Sequence, residues 1–226
     1  MSLPIKINGV QMRVPTNWDE LNLGQAIDLL QWSEDETLKH DLVQMASILS
    51  GVTRSALLDQ RQDVIEMLVS PMMHNLNTTA LDSSKWKSSI QYVLNGNVHN
   101  SFVKVGEVQY GCMDIFEKTL AMECKFIEKI PLLIAAFSYK GKFGGREIEA
   151  RKDIEDLANG GVMKMKLGEA YALATFFLNR YQSFLSLQEK NLQSTPMPKA
   201  GRVLRNWKSL VSLVRSIRSQ EVTSLK

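Results

Sequence analysis

An Asn-Gly pair set between two short alternating runs is the strongest constraint this chain places on its own folding. In residues 3–14, Ile5 and Ile7 and then Met12 and Val14 alternate with polar neighbours on either side of Asn8-Gly9. Asn-Gly accepts the positive φ that both central residues of a two-residue turn require, so a β-hairpin is predicted. Pro15 has no N–H to extend the ladder, and beyond Trp18 a helix is expected with Leu23, Ala26, Ile27 and Leu30 on one face. A two-stranded hairpin is at best marginal in water, so it must dock on the elements that follow.

Those elements read as helices. Ser33-Glu34-Asp35-Glu36 makes a polar break, with Thr37 as the expected cap of a second helix bearing Leu42, Met45, Ala46 and Leu49 and stopped by Ser50-Gly51. Thr53 is placed to cap a short helix with Ala56 and Leu57. Val64, Ile65, Leu68, Val69 and Met72 mark a further helix, with a kink or break expected at Pro71. The polar run over residues 78–84 reads as a linker. A second β segment is then predicted between residues 88 and 111, where Ile90, Tyr92 and Leu94 run into Asn95-Gly96 and Val103, Val105, Val108 and Tyr110 follow. KINGVQM at residues 6–12 has an echo in KVGEVQY at 104–110, too short to establish an internal repeat.

Ile115, Phe116, Thr119, Met122, Phe126 and Ile127 predict one helix that ends before Pro131, or a new helix that Pro131 opens. Residues 132–139 are apolar on almost every side and belong in the middle of a core, and 140–146 form a glycine-rich loop. Residues 151–157 read as a short charged helix stopped by Asn159-Gly160-Gly161. The clearest stripe is Ala170, Tyr171, Ala174, Phe177, Leu178, Tyr181 and Leu185. The expected fold class is α+β, mostly α-helical, with a short N-terminal hairpin and a second small β segment packed on helices. The chain divides on this reading into residues 1–77, residues 78–190, a linker at 191–201 and a basic amphipathic helix and tail at 202–226.

Charge separates that last segment from the rest. Residues 191–226 hold seven basic side chains against Glu221 alone, a net +6, so a chain total of +3 leaves −3 on residues 1–190. Val203, Trp207, Leu210, Val211, Val214 and Ile217 line one side of the tail helix, and Arg202, Arg205, Lys208, Arg215 and Arg218 crowd the others. A lone helix of that length is marginal in water and needs a surface to lie on. Three surfaces are open to it: the chain's own acidic body, a neighbouring subunit, or an anionic nucleic acid or membrane surface. In each, Trp207 is the expected anchor, with Leu210, Val214, Ile217 and the five cations around it.

Catalytic signals are weak. His40, His74 and His99 are scattered, and His40-Asp41 lacks the further ligands of a metal-dependent site, so a solvated pair is expected. Glu34, Asp35 and Glu36 read as a solvated turn, and Gly141-Lys142-Phe143-Gly144-Gly145-Arg146 as an exposed contact loop without the G-K-[ST] of a nucleotide loop. Cys112 and Cys124, the only cysteines, show no zinc spacing and are expected as buried reduced thiols. The 11 methionines suit adaptable packing. No catalytic residue, cofactor, metal, signal peptide or membrane span is expected, since the longest apolar run, 130–137, is far short of the roughly 20 residues a span needs.

The order of motifs carries a resemblance. The hairpin, then V-P-x-x-W-D-E-L-x-L-G-Q at residues 14–25 and I-L-S-G-V at 48–52, resembles small proteins encoded among the tail and baseplate assembly genes of tailed bacteriophages. I-P-L-L-I-A-A-F at 130–137 and A-T-F-F-L at 174–178 are similar to the second half of such proteins, and the basic segment after Pro198 lies outside the likeness. The resemblance implies a non-enzymatic protein of the tail, baseplate or head–tail connector that works by contacts with other phage structural or assembly proteins. It implies a multi-subunit assembly, located in the virion or, during assembly, in the host cytoplasm. Two alternatives stand beside it: a transient tail assembly chaperone that does not stay in the virion, and a nucleic-acid-binding accessory protein that uses the basic tail.

Overall fold

The computed structural model of the chain describes residues 3–7, 10–38, 40–78, 86, 87, 89, 91–101, 105–141 and 147–194. The fold is α+β and mostly α-helical, with two separate two-stranded antiparallel sheets among the described residues. It divides into two units, the first formed by the described residues of 3–78 together with Met163–Gly168, the second by the described residues of 86–162 and 169–194.

In the first unit β1 (Leu3–Ile7) pairs with β2 (Val10–Val14), placing Leu3 opposite Val14 and Ile7 opposite Val10, in the expected register. Asn8-Gly9 itself lies outside the described residues. Four helices follow: α1 (Leu23–Glu34), α2 (Leu42–Ser50), α3 (Arg54–Leu58) and α4 (Gln62–Thr78). Helix α1 buries Leu23, Ala26, Ile27, Leu29 and Trp32, so the core-facing arc is wider than the expected stripe and Leu30 is only half-buried. Thr37 does not cap α2; it donates to Asp35 in the preceding turn, and Asp41 takes the cap by accepting from the Gln44 N–H at 2.9 Å. Gly51 then closes α2 in the left-handed conformation, φ 70°. Helix α4 continues through Pro71 without the expected break. Its Ile65, Leu68, Val69 and Met72 are all buried, and burial of that face outweighs one missing N–H.

One side chain joins the start of α1 to the end of α2. Asn22 and Gln25 form a capping box, each side chain accepting from the other's backbone N–H, at 2.8 and 3.1 Å. The Gln25 amide then donates to the carbonyls of Ile48 and Leu49, both at 3.1 Å, in the last turn of α2 where carbonyls lack helical partners. Residues 163–168 return to this unit as a single antiparallel bridge, with Leu23 N–H donating to Met165 and Leu167 N–H donating to Leu21.

In the second unit β3 (Gln91–Leu94) and β4 (Asn97–Asn100) are joined by Asn95-Gly96, at φ 48° and 79°, which is the primed turn the dipeptide predicts. Val103 lies outside the described residues, but Val105–Glu107 is a 3₁₀ turn and Tyr110 opens a helix, so residues 105–110 do not repeat the strand at 10–14. The single helix expected over 115–127 is two, α5 (Tyr110–Leu120) and α6 (Phe126–Ser138), with Met122 exposed in the break and Pro131 inside α6. Residues 133–138 are buried as expected. Helix α7 (Glu147–Gly160) is longer than read, and its end packs on the hairpin: a Cβ on Gly161 would come within 3.1 Å of Asn95 Oδ1. Helix α8 (Leu167–Ser194) buries all seven residues of its stripe from Ala170 to Leu185.

Gln25 makes a sharp prediction. Asn22→Ala should cost about 1 kcal/mol, whereas Gln25→Ala, which removes bonds at both helix ends, should cost about 2 kcal/mol. Gln25→Glu, ordinarily favoured in a capping box, should destabilise by a similar amount because its carboxylate would face the Ile48 and Leu49 carbonyls. Urea-unfolding midpoints check the order, and a neutral Gln25→Glu would refute it.

Candidate functional site

The residues that the sequence singles out for partner binding, Trp207, Leu210, Val214, Ile217, Arg202, Arg205, Lys208, Arg215 and Arg218, all lie outside the described residues. Of the linker expected at 191–201, the first four residues are described and they are helical. Helix α8 runs on through residues 191–194, so only 195–201 separate it from Arg202.

Within the second unit a cleft of about 350 Å³ opens between the β3–β4 hairpin, the end of α6 and the start of α5. Tyr92 and His99 face each other across the hairpin and stack at 5.4 Å with an 18° tilt. Ser138 Oγ donates to the Ile134 carbonyl at 2.6 Å and so accepts from the Tyr92 hydroxyl at 2.7 Å. Lys140 Nζ reaches the Val98 carbonyl at 3.3 Å, and Gln109 donates to the Gly141 carbonyl at 2.5 Å. Cys112 lies in the same wall.

The electrostatics of this cleft favour neutral groups. Burial holds the His99 imidazole below its ordinary range, the Lys140 charge pushes it the same way, and a hydrogen bond to the Ser138 backbone opposes both. Burial also pushes the Cys112 thiol up to about 11 and the Tyr92 phenol up to about 12, despite the Ser138 bond on the latter. At neutral pH a thiol so placed carries almost no thiolate, the form that attacks or binds metal. The Ser138 hydroxyl is committed on both sides. The cluster therefore ties the hairpin to α6 through satisfied hydrogen bonds.

Other expected features fall as follows. His40 and His74 are exposed. Asp41, read as half of a solvated pair with His40, instead caps α2 and accepts from Arg54 at 3.0 Å. Residues 34–36 are exposed, and Lys142 to Arg146 of the glycine-rich loop lie outside the described residues. Both thiols are free, but Cys124 is half-buried, not buried, because it sits in the α5–α6 break. Among the described residues no cluster of His, Cys, Asp and Glu could hold a metal ion, and no helix is long and apolar enough to cross a membrane.

The sequence reading missed an ion network between α5 and α7. Arg151 donates to Asp114 at 2.9 Å and Glu147 at 2.8 Å, and Lys118 reaches Asp114 at 2.8 Å. The hydrogen bonds and charges of Lys118 and then Arg151 hold the Asp114 carboxyl below its usual range. Beside this network two large side chains stand in solvent, Tyr110 at 88% exposure and Ile148 at 85%. Ile148 breaks the polar face opposite Ala150, Ile154 and Ala158, a signal legible once the helix is begun at Glu147 instead of Arg151.

Compared with known proteins, the chain matches no family model, no curated protein and no solved structure.

His99 gives a pH prediction with a definite sign. Its folded pKa lies below the unfolded value near 6.5, so the unfolded chain binds the extra proton first. Its contribution is complete above pH 6.5 and is lost as pH falls through the depressed folded value. Unfolding free energies at pH 7.5 and 5.0 should therefore differ more for the wild type than for His99→Gln. Lys140→Met, which removes the neighbouring charge, should shrink the difference as well, and equal slopes for all three proteins would refute the assignment.

Proposed function

We propose that this chain is a non-enzymatic structural or assembly protein of a tailed bacteriophage, in the tail, baseplate or head–tail connector, acting through protein–protein contacts. The observation that carries the reading is the segregation of the chain: a net +6 and a Trp207-Leu210-Val214-Ile217 stripe follow a body of net −3. The motif order at residues 14–25, 48–52 and 130–137 supports the phage setting. In this reading the body presents a shaped surface, and α8, whose stripe from Ala170 to Leu185 is buried in that body, carries the chain out of it. Residues 195–201 are a short tether beyond it, and the basic segment reaches a neighbouring subunit. A short tether raises the local concentration of the segment into the millimolar range, so modest contacts suffice. The chain works in the virion or, during assembly, in the host cytoplasm.

The same concentration of arginines favours one further reading, a nucleic-acid-binding accessory protein, because cations on one helix neutralise phosphates and release counterions. Both are tested on gradient-purified particles of the phage that encodes the chain. Quantitative mass spectrometry should find the chain at fixed copy number, and Trp207→Ala with Leu210→Ala should cut its retention roughly tenfold, as loss of a hot-spot anchor does. Presence in assembly intermediates but not in finished particles would make it a transient chaperone. DNA binding that falls steeply with salt and vanishes on neutralising Arg202, Arg205, Arg215 and Arg218 would replace the assembly reading.

A further inference from the structure

On α7 the buried positions Ala150, Ile154 and Ala158 define the core side, and at 100° per residue the opposite face carries Ile148, Lys152 and Glu155 with Glu149 and Asp156 flanking them. The helix holds five acidic side chains against Arg151 and Lys152, and Arg151 is already engaged by Glu147 and Asp114. The result is an acidic surface with an exposed isoleucine in it. Tyr110 adds a second apolar group one turn before Asp114, the residue that Arg151 clamps to α7.

The last described stretch of α8 passes the start of α5. Tyr181 of α8 donates to Glu117 of α5 at 2.6 Å, and three residues later Phe184 lies at Gly106, whose Cβ position is 3.9 Å from its ring. Going forward, α8 therefore runs back past the start of α5, the end that carries Tyr110. Ser194 is ten residues beyond Phe184, about 15 Å along the helix. Residues 195–201 span at most about 25 Å when extended, so Arg202 can come back to the Tyr110 end of α5. A helix over residues 202–218 would be about 25 Å long, close to the roughly 21 Å of α7.

We infer that the outer face of α7, with Tyr110 of α5, is the seat for the basic segment 202–218 of the same chain in the free protomer. Trp207, Leu210 and Val214 cover Ile148 and Tyr110, and the arginines meet Glu155 and Asp156. The tether sets the choice of occupant: a second copy would have to compete with an intramolecular segment at millimolar effective concentration. The seat does not depend on who the assembly partner is. Where the proposed function holds, it is the contact a partner must displace to take the tail.

The test uses the full chain. An equimolar mixture of natural-abundance and ¹⁵N-labelled protein is treated with a carbodiimide, which joins amines to carboxylates without a spacer. Lys208 should be joined to Glu155 or Asp156 within one isotopic species. Cross-links of mixed isotope would move the seat to a second copy, and cross-links of Lys208 to other elements, or none, would remove it; each outcome overturns the inference. As an independent measure, Ile148→Asp combined with Glu155→Lys and Asp156→Lys should speed tryptic cleavage after Arg205 and Arg215 roughly tenfold, an opening of about 1.4 kcal/mol. All three positions are exposed, so the fold should survive, and an unchanged cleavage rate overturns the inference too. Particle retention reports separately: tail-dependent retention without the cross-link sinks only the seat, and the cross-link without retention sinks only the assembly reading.

Discussion

Phe137 lies between two other rings, stacked on Phe177 at 4.6 Å and edge-on to Phe116 at 4.7 Å, and the second unit depends on that arrangement. Helix α6 has no fully exposed residue, so it has no side to give to water. A helix that is apolar all round must be enclosed, which obliges neighbouring helices to turn their own stripes inward. Helix α5 does so with Cys112, Ile115, Phe116 and Leu120, α7 with Ala150, Ile154 and Ala158, and α8 with the row from Ala170 to Leu185. The hairpin β3–β4, too small to persist alone, is held to the same centre by Tyr92, whose ring lies 6.4 Å from Phe177 and whose hydroxyl reaches Ser138.

Polar groups inside both units serve mainly as fasteners for helix ends. Lys129 is buried and donates to the Leu120 carbonyl at 2.9 Å, at the C-terminus of α5. There the helix dipole favours a cation, while burial pulls the lysine pKa down. In the first unit Gln25 acts similarly on the last carbonyls of α2, and the Trp32 indole donates to the Asp41 carbonyl at 3.2 Å. Each of these side chains would be costly to bury without a partner, and each finds one where a helix terminus leaves backbone groups unpaired. Short helices joined by tight turns expose many such termini. A body of this kind can therefore absorb several polar residues into its interior with little penalty.

What could be read in advance was periodic or carried by turn chemistry. Asn95-Gly96 announced its turn, and the stripe on α8 was legible to the last residue because helix period and burial agreed. The errors have a common origin in packing that overrides a local signal. Pro131 reads as a boundary because it lacks an N–H, yet α6 continues through it, since a fully enclosed helix gains more from burial than one hydrogen bond is worth. The true break, residues 121–125, contains neither glycine nor proline and so gave no warning. Val105 and Val108 suggest a strand by their branching, but strand preference expresses neighbours, and Val105–Glu107 folds as a 3₁₀ turn with Val105 buried. Nothing in a one-dimensional pattern could have paired Asp114 with Arg151, because that contact joins helices whose separation depends on α6.

Charge and apolar surface have different tasks at an interface formed by a tethered basic segment. At physiological ionic strength the Debye length is about 8 Å, so exposed arginines and glutamates attract only at short range, and each exposed pair contributes at most about 1 kcal/mol. The ion pairs already present on α5 and α7 are of this kind. Such charges set where a segment lands and how fast, and they discriminate against surfaces of the wrong sign. How long it stays is decided by what it buries, and a tryptophan removed from water contributes more than any of the cations around it. In the proposed contact the basic residues of 202–218 would choose the surface and Trp207 with Leu210 would retain it. Two acidic surfaces of equal charge would be distinguished by whether an apolar group such as Ile148 stands among the carboxylates.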